Sequence, residues 1–458
     1  IPGFSQSGGL GLLAAQWMIE GEPEWDMFAW DLARFGDWAD KAFTKARVRD
    51  QYMHRFKIHF PNEERAAGRP AMTRPAYEMQ RGMGAVFGLN AGWEHPLWFA
   101  DAPGTEDTNG FARQNWFEPV GREAAMLRDA VGVIDISNFG KYEVTGPGAG
   151  DWLDALVANH VPREIGKSCL TPLIGMRGGV AGDFTVTMTG DESYMMIGSG
   201  MAERYHRRFF DMVPLPDGTG FEVATPRIAG FNVAGPRSRK MLAGLTDADL
   251  SNEGWRFMRS RRIAVGGVDC LAIRVSFTGD LGWELHCAVD DQVALYEILL
   301  EAAAAHGGGP VGGRALGALR IEKGYGSWGR EYSPEYWPQE AGLHGLIKLD
   351  KDFLNKEAYL KISNTPPRES LTMFEVDVAD NADANGGEPI FLADGTPVGR
   401  VTSGSYGYTV GKSLAIGYAR EGVVSAGDRV EIFILGKPHA ATVLEKPPFD
   451  AGGERLRA

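Results

Sequence analysis

The sequence predicts an α+β fold that ends in a small antiparallel β-barrel or sandwich. Three observations carry this. Helical and strand-like segments alternate irregularly from Phe117 to about Leu360, without the regular strand–helix series of a parallel sheet. Short β-like runs separated by turn residues then dominate from Pro366 to about Pro448. Ahead of both lies a stretch rich in aromatic and charged residues.

The elements follow in order. The glycine-rich stretch Gly3 to Gly11 reads as a turn feeding a helix over Leu12 to Ile19, with Gly21 and Pro23 as stop signals. Phe28, Trp30, Phe35, Trp38 and Phe43 are expected to form a compact aromatic core. Lys45 to Asp50 has helical character, and Arg55 to Pro61 alternates like a strand. Asp101 to Asn109 is polar and breaks the pattern, as a domain boundary does. Helices are expected at Glu118–Val131, Ala149–Leu156, Met201–Met212 and Asp291–His306. Strands are expected at Lys141–Gly146, Phe184–Met188, Tyr194–Gly198, Phe231–Ala234 and Ala272–Ser276. In the tail they are expected at Thr372–Val378, Pro397–Ser403, Ser413–Tyr418 and Arg429–Ile434.

Bulk properties narrow the function. The 458 residues carry a formal net charge of −13, which argues against a nucleic-acid partner. Apolar runs such as Leu10 to Ala15 fall far short of the roughly 20 residues a membrane span needs. Three cysteines without a CxxC pair argue against a disulfide framework or a structural zinc site, and no metal is expected. A reducing, cytoplasm-like compartment fits.

Three segments carry candidate chemistry. Thr171 to Val186 places glycines ahead of Asp183 at the start of a strand, where a bulky ligand can approach a carboxylate closely. In Arg274 to Leu285, period-two alternation puts Trp283 and Leu285 on one face and Glu284 on the other. A ligand-facing Glu284 would accept strong hydrogen bonds from the N–H and NH₂ groups of a heterocycle. In Leu319 to Tyr325, Arg320 and Glu322 stand two apart and would not face each other on a helix. Taken singly, each of these residues also fits a turn cap or an exposed surface position.

Together, and in order along the chain, these segments resemble the folate-binding domain of the glycine cleavage T-protein. They are closer still to the folate half of dimethylglycine and sarcosine dehydrogenases. Phe117 to Gly121, Val133 to Tyr142, Val144 to Ala149, Glu340 to Leu343, Val401 to Gly404 and Pro448 to Asp450 extend the likeness over essentially the whole chain. It implies four parts: residues 1–25 as the end of an FAD-binding domain, 26–115 as an oxidoreductase linker domain, 116–362 as the folate-binding domain and 363–458 as the barrel. It implies that the chain opens at Ile1 inside a longer protein. The FAD-binding part would stand in cis or on a separate chain, and the protein would lie in the cytoplasm, or in the mitochondrial matrix of a eukaryote.

The activity so implied is capture, on tetrahydrofolate, of the iminium carbon left when a flavin oxidises an N-methylated glycine-type amine, giving 5,10-methylenetetrahydrofolate. Asp183 would be catalytic. Glu284, Phe277, Arg320, Leu170 and Thr171 would bind the folate, and Gly8, Gly9 and Gly11 would be a remnant of the FAD site. The chain departs from the family at Phe277, often tyrosine, and at Gly175, often asparagine. Two alternatives are a flavin-independent demethylase and a folate-binding iron–sulfur scaffold. The scaffold group carries a cysteine after the arginine–glutamate segment, which is absent from Lys323 to Gly329 here.

Overall fold

A computed structural model describes residues 3–458; the first two residues of the expected 1–25 segment lie outside it. The chain divides into two compact units, each assembled from three stretches. Of the described residues, the first takes 3–35, 142–222 and 327–371, and the second 36–141, 223–326 and 372–458.

The first unit is built on a five-stranded sheet. The hairpin of Ser168–Ile174 and Val180–Gly190 continues into Ser193–Gly198, then Gly140–Thr145 and Gly220–Val223. Tyr142, Phe184 and Phe210 fill its core with edge-on and tilted ring contacts. The helix Ala149–Leu156 starts where expected, after Gly148 adopts a left-handed φ of 83°. Pro147 precedes it, so the turn halts the strand and the glycine supplies a backbone angle other residues resist.

The second unit contains a six-stranded sheet in the order Ser260–Val265, Val268–Ile273, Gly282–Ala288, Ile228–Ala234, Gly132–Asp135, Gly309–Val311. Period-two alternation sorts its faces. Phe231, Val233, Trp283 and Leu285 join one core with Leu295, Tyr296 and Leu299 of the helix Gln292–Ala305. Ile134 and Ala234 join another with residues of Phe117–Asp129 and Gly313–Glu322.

The small antiparallel barrel expected of the tail is present, and it is closed and six-stranded, spanning Glu369–Val376 to Lys437–Leu444. Closure leaves no unpaired strand edge. Ile390, Ile432 and Phe374 are fully buried inside it. Ile432→Val should therefore lower stability by about 0.5–1.5 kcal/mol, read from the urea midpoint.

Ion pairs knit the second unit. Arg128, almost fully buried, donates to Asp280 and, at 2.9 Å, to Glu322. Glu322 also accepts from the Thr409 backbone N–H at 2.7 Å and its hydroxyl at 2.6 Å. Arg455 closes on Asp280 at 2.7 Å, and the Arg128 guanidinium lies 3.5 Å from the centre of the Phe449 ring.

Three expectations are corrected, and a fourth is shifted. The glycine-rich Gly3 to Gly11 is no turn: a single helix runs Gly3–Glu20 and ends where Gly21 takes a φ of +82°. Its glycines weaken helix propensity, but no proline or polar cap interrupts the ladder. Arg55 to Pro61 forms no strand, because nothing pairs with it and both Phe56 and Ile58 stay exposed. Of the five aromatics expected to share a core, only Phe43 is buried; Phe28 instead meets Tyr205 and Trp328 edge-on. The strand expected at Ala272–Ser276 lies earlier, at Val268–Ile273.

Candidate active site

In the first unit, Asp183 is the fourth residue of the strand Val180–Gly190, so it sits inside the strand and not at its start. Pairing with Ser168–Ile174 places Asp183 opposite Pro172 and Leu170 opposite Thr185. Pleating therefore puts Leu170 on the Asp183 face and turns Thr171, opposite Phe184, to the other. The Thr171 hydroxyl is occupied as well: it accepts the Asn159 backbone N–H at 3.0 Å. Thr171 is thus corrected from a ligand contact to a buried strut, while half-exposed Leu170 keeps a free side chain beside the carboxylate.

Asp183 is only partly exposed, and among the described residues no cation or side-chain donor supports its charge. Burial pushes its carboxyl up to about 6 from its ordinary 3.8, with its own backbone N–H as the small opposing influence. A carboxyl held near neutrality on a small-residue strand is suited to proton exchange or to meeting a cation.

In the second unit, Glu284 lies on Gly282–Ala288, opposite Asn232 of Ile228–Ala234. The expected alternation holds: Trp283 and Leu285 are buried in the core, and Glu284 is part-buried on the reverse face. His286 shares that face, with Nε2 3.5 Å from the Glu284 carboxylate. Burial holds the His286 ring below its ordinary range, partly offset by Glu284. Asn232 Oδ1 is buried without a donor. Glu284 and Asn232 thus line one sheet face with acceptors, and Oδ1 lacks a partner within the protein. These acceptors suit a heterocycle bearing N–H and NH₂ groups, such as a reduced pterin.

Phe277 stacks on Tyr325 with ring centroids 5.8 Å apart and planes 17° from parallel. Arg320 is buried. It donates to the Tyr325 carbonyl at 2.9 Å and to the Ser403 hydroxyl at 2.7 Å, so its guanidinium secures the turn that carries Tyr325. Glu322 proves buried too, because the helix Gly313–Glu322 sits deep enough to bury both residues of the pair. Tyr325, Asn232 and His286 were not singled out by sequence. Tyr325 closes a segment already chosen for its arginine, but nothing local marks Asn232 or His286, which the sheet pairing brings beside Glu284.

Gly8, Gly9 and Gly11 are exposed on the first helix, and a Cβ at any of them would meet nothing within 4 Å. Among the described residues, these three glycines are packed against no other part of the chain. Cys169, Cys270 and Cys287 are free thiols; burial pushes them up to about 11, 12 and 12, far from reactive thiolates. No helix among the described residues is long and apolar enough to cross a membrane.

Comparison with known proteins adds to this geometry. The family model described as the GCVT N-terminal domain matches residues 76–351, and that of the glycine cleavage T-protein C-terminal barrel domain matches 370–450. The FAD dependent oxidoreductase central domain matches 20–73. Mouse mitochondrial dimethylglycine dehydrogenase is 35% identical over 451 residues, which cover 97% of this chain and 51% of that protein. The 4-methylaminobutanoate oxidase (formaldehyde-forming) of Paenarthrobacter nicotinovorans is 31% identical over 471 residues, 99% of this chain and 56% of the oxidase. The chain spans about half the length of these curated relatives. Among solved structures, the glycine cleavage system aminomethyltransferase T of Bartonella henselae shares the fold. It has a TM-score of 0.71 and 23% identity, over 83% of this chain and 98% of that one.

Proposed function

This chain belongs to the glycine cleavage T-protein family, and from that premise we propose that it performs the folate-dependent one-carbon transfer of a flavin-dependent N-methyl amine dehydrogenase. The observation that carries this reading is Asp183, a carboxyl without a counterion whose ionisation burial holds back to about 6. Bound tetrahydrofolate would supply two nitrogens to the iminium carbon: N5 adds to it, and closure by N10 expels the demethylated amine, giving 5,10-methylenetetrahydrofolate with release of one proton. The roles of this chain are to bind, orient and exchange protons. Ionised Asp183 stabilises the cationic carbon donor, and in a site of low polarity that attraction greatly exceeds its value in water. The same carboxylate accepts the proton released on capture. Glu284 takes N–H donors of the pterin, and the Phe277–Tyr325 pair offers it an aromatic wall held by Arg320. Phe277 keeps the ring face but lacks the hydroxyl that tyrosine would provide.

The donor in this reading is an N-methylated glycine-type amine. Its oxidation is assigned to an FAD-binding part in cis or on a separate chain. Titration with tetrahydrofolate, followed by calorimetry on the native protein, Asp183→Ala and Glu284→Ala, tests the assignment. Removing the charged acceptor in Glu284→Ala should weaken binding by about tenfold or more. Equal binding by all three proteins would reject this placement of the folate contacts.

A further inference from the structure

A cavity in the first unit, about 330 Å³, is lined by residues of three stretches, among them Glu22, Asp26, Phe28, Arg177, Tyr205 and Trp337. Its charges do not balance. Each arginine on its wall is committed to another carboxylate. Arg208 grips Asp31 through both terminal nitrogens. Arg177 sends its guanidinium to Glu20 and the Glu22 carbonyl. Arg368 clamps Glu340 at 2.7–2.8 Å.

Among the described residues, Glu22 and Asp26 are left without an ion pair. Glu22 is only 9% exposed; its Oε2 accepts the Arg177 backbone N–H at 2.9 Å, while buried Oε1 completes no hydrogen bond, although the Met176 backbone N–H is also turned toward this carboxylate. Asp26 Oδ1 accepts the Phe28 backbone N–H at 2.8 Å. Desolvation raises both carboxyls above the usual range, and Glu335 and Asp31 add to the repulsion at Asp26. Gly175 makes room for this arrangement, because a Cβ there would lie 3.0 Å from Glu22 Oε1. The glycine that departs from the family pattern is thus the residue against which the unpaired oxygen rests.

Buried acceptors without donors, beside aromatic rings, form an environment complementary to a cation that carries both N–H groups and apolar surface. We propose that this cavity binds a small organic ammonium ion, with Glu22 and Asp26 accepting its N–H groups and Phe28, Tyr205 and Trp337 packing on its carbon skeleton. A bare metal ion would waste the aromatic wall, and an anion would meet two unpaired carboxylates. The inference is independent of the Asp183 assignment.

Calorimetric titration of the full chain with piperidinium chloride tests it. N,N-dimethylpiperidinium serves as the same charge without a donor, and sodium chloride as the blank. Saturable one-to-one binding of piperidinium is expected, weaker by about tenfold for the dimethyl ion and for both Glu22→Gln and Asp26→Asn. Asp183→Asn should bind piperidinium as the native protein does, which separates this site from the folate assignment. Circular dichroism checks folding; should Glu22→Gln not fold, Asp26→Asn decides alone. Absence of saturable binding overturns the proposal. So does native affinity in the folded variants, or a loss confined to Asp183→Asn.

Discussion

Arg128→Ala is expected to destabilise the protein by about 3–5 kcal/mol, measured as a fall in the urea midpoint at neutral pH. The side chain is only 4% exposed and answers two carboxylates, Asp280 and Glu322, that are almost wholly buried. Removing it strands both charges. Thr409 would still serve Glu322 and Arg455 would still reach Asp280, but neither neutralises the buried pair completely. The guanidinium also leaves an empty face on Phe449. Because the partners share one network, adding Glu322→Gln to Arg128→Ala should cost much less than the sum of the single losses. A loss below about 1 kcal/mol for Arg128→Ala would show that water reaches the cluster and screens it, as at surface pairs.

Asp183→Asn should lower tetrahydrofolate-dependent turnover by about 10²–10⁴-fold, the range for a lost proton-transfer group. The same change should stabilise the fold at pH 8. The carboxyl titrates near 6 in the folded protein against an ordinary 3.8, so folding favours the neutral form. Below 3.8 the folded and unfolded states are both protonated and the penalty vanishes. As pH rises from 3.8 to 6 the unfolded chain ionises first, and stability is lost until both states are ionised. The difference corresponds to roughly 3 kcal/mol at most. Thermal melts of the native protein and of Asp183→Asn should therefore diverge above about pH 6 and converge below about pH 4. Turnover of the native protein should fall as pH drops through about 6, when the carboxylate is neutralised. Coincident melting curves at pH 8 would contradict a desolvated Asp183.

Much of the fold was legible because local rules decide it. Pro147 and Gly148 fix the start of the helix Ala149–Leu156, and alternation alone locates Arg429–Ile434 and assigns the two faces around Glu284. Local rules fail where partners decide. Arg55 to Pro61 alternates like a strand but finds no neighbour. Taken singly, Arg320 and Glu322 fit surface positions as well as inward ones, and it is the deep burial of their helix that takes both inside. The site was legible only in part. Asp183 and Glu284 stand out through their segments. Thr171 points away from Asp183 because the hairpin register, set over the whole strand pair, decides its face. Asn232 and His286 become visible only once strands distant in sequence pair.

The division of each unit among three separated stretches has a consequence for biogenesis. The sheet of residues 142–222 belongs with 327–371, and the intervening stretch belongs to the other unit. At ribosomal rates of about 5–20 residues per second, the nascent sheet waits on the order of 10 s for its last partner. During that interval the apolar surface that residues 327–371 cover in the finished unit stands open to wrong neighbours. Slow elongation would lengthen the exposure, so yield in a cell should depend on translation speed and chaperone supply more than the stability of the finished molecule suggests.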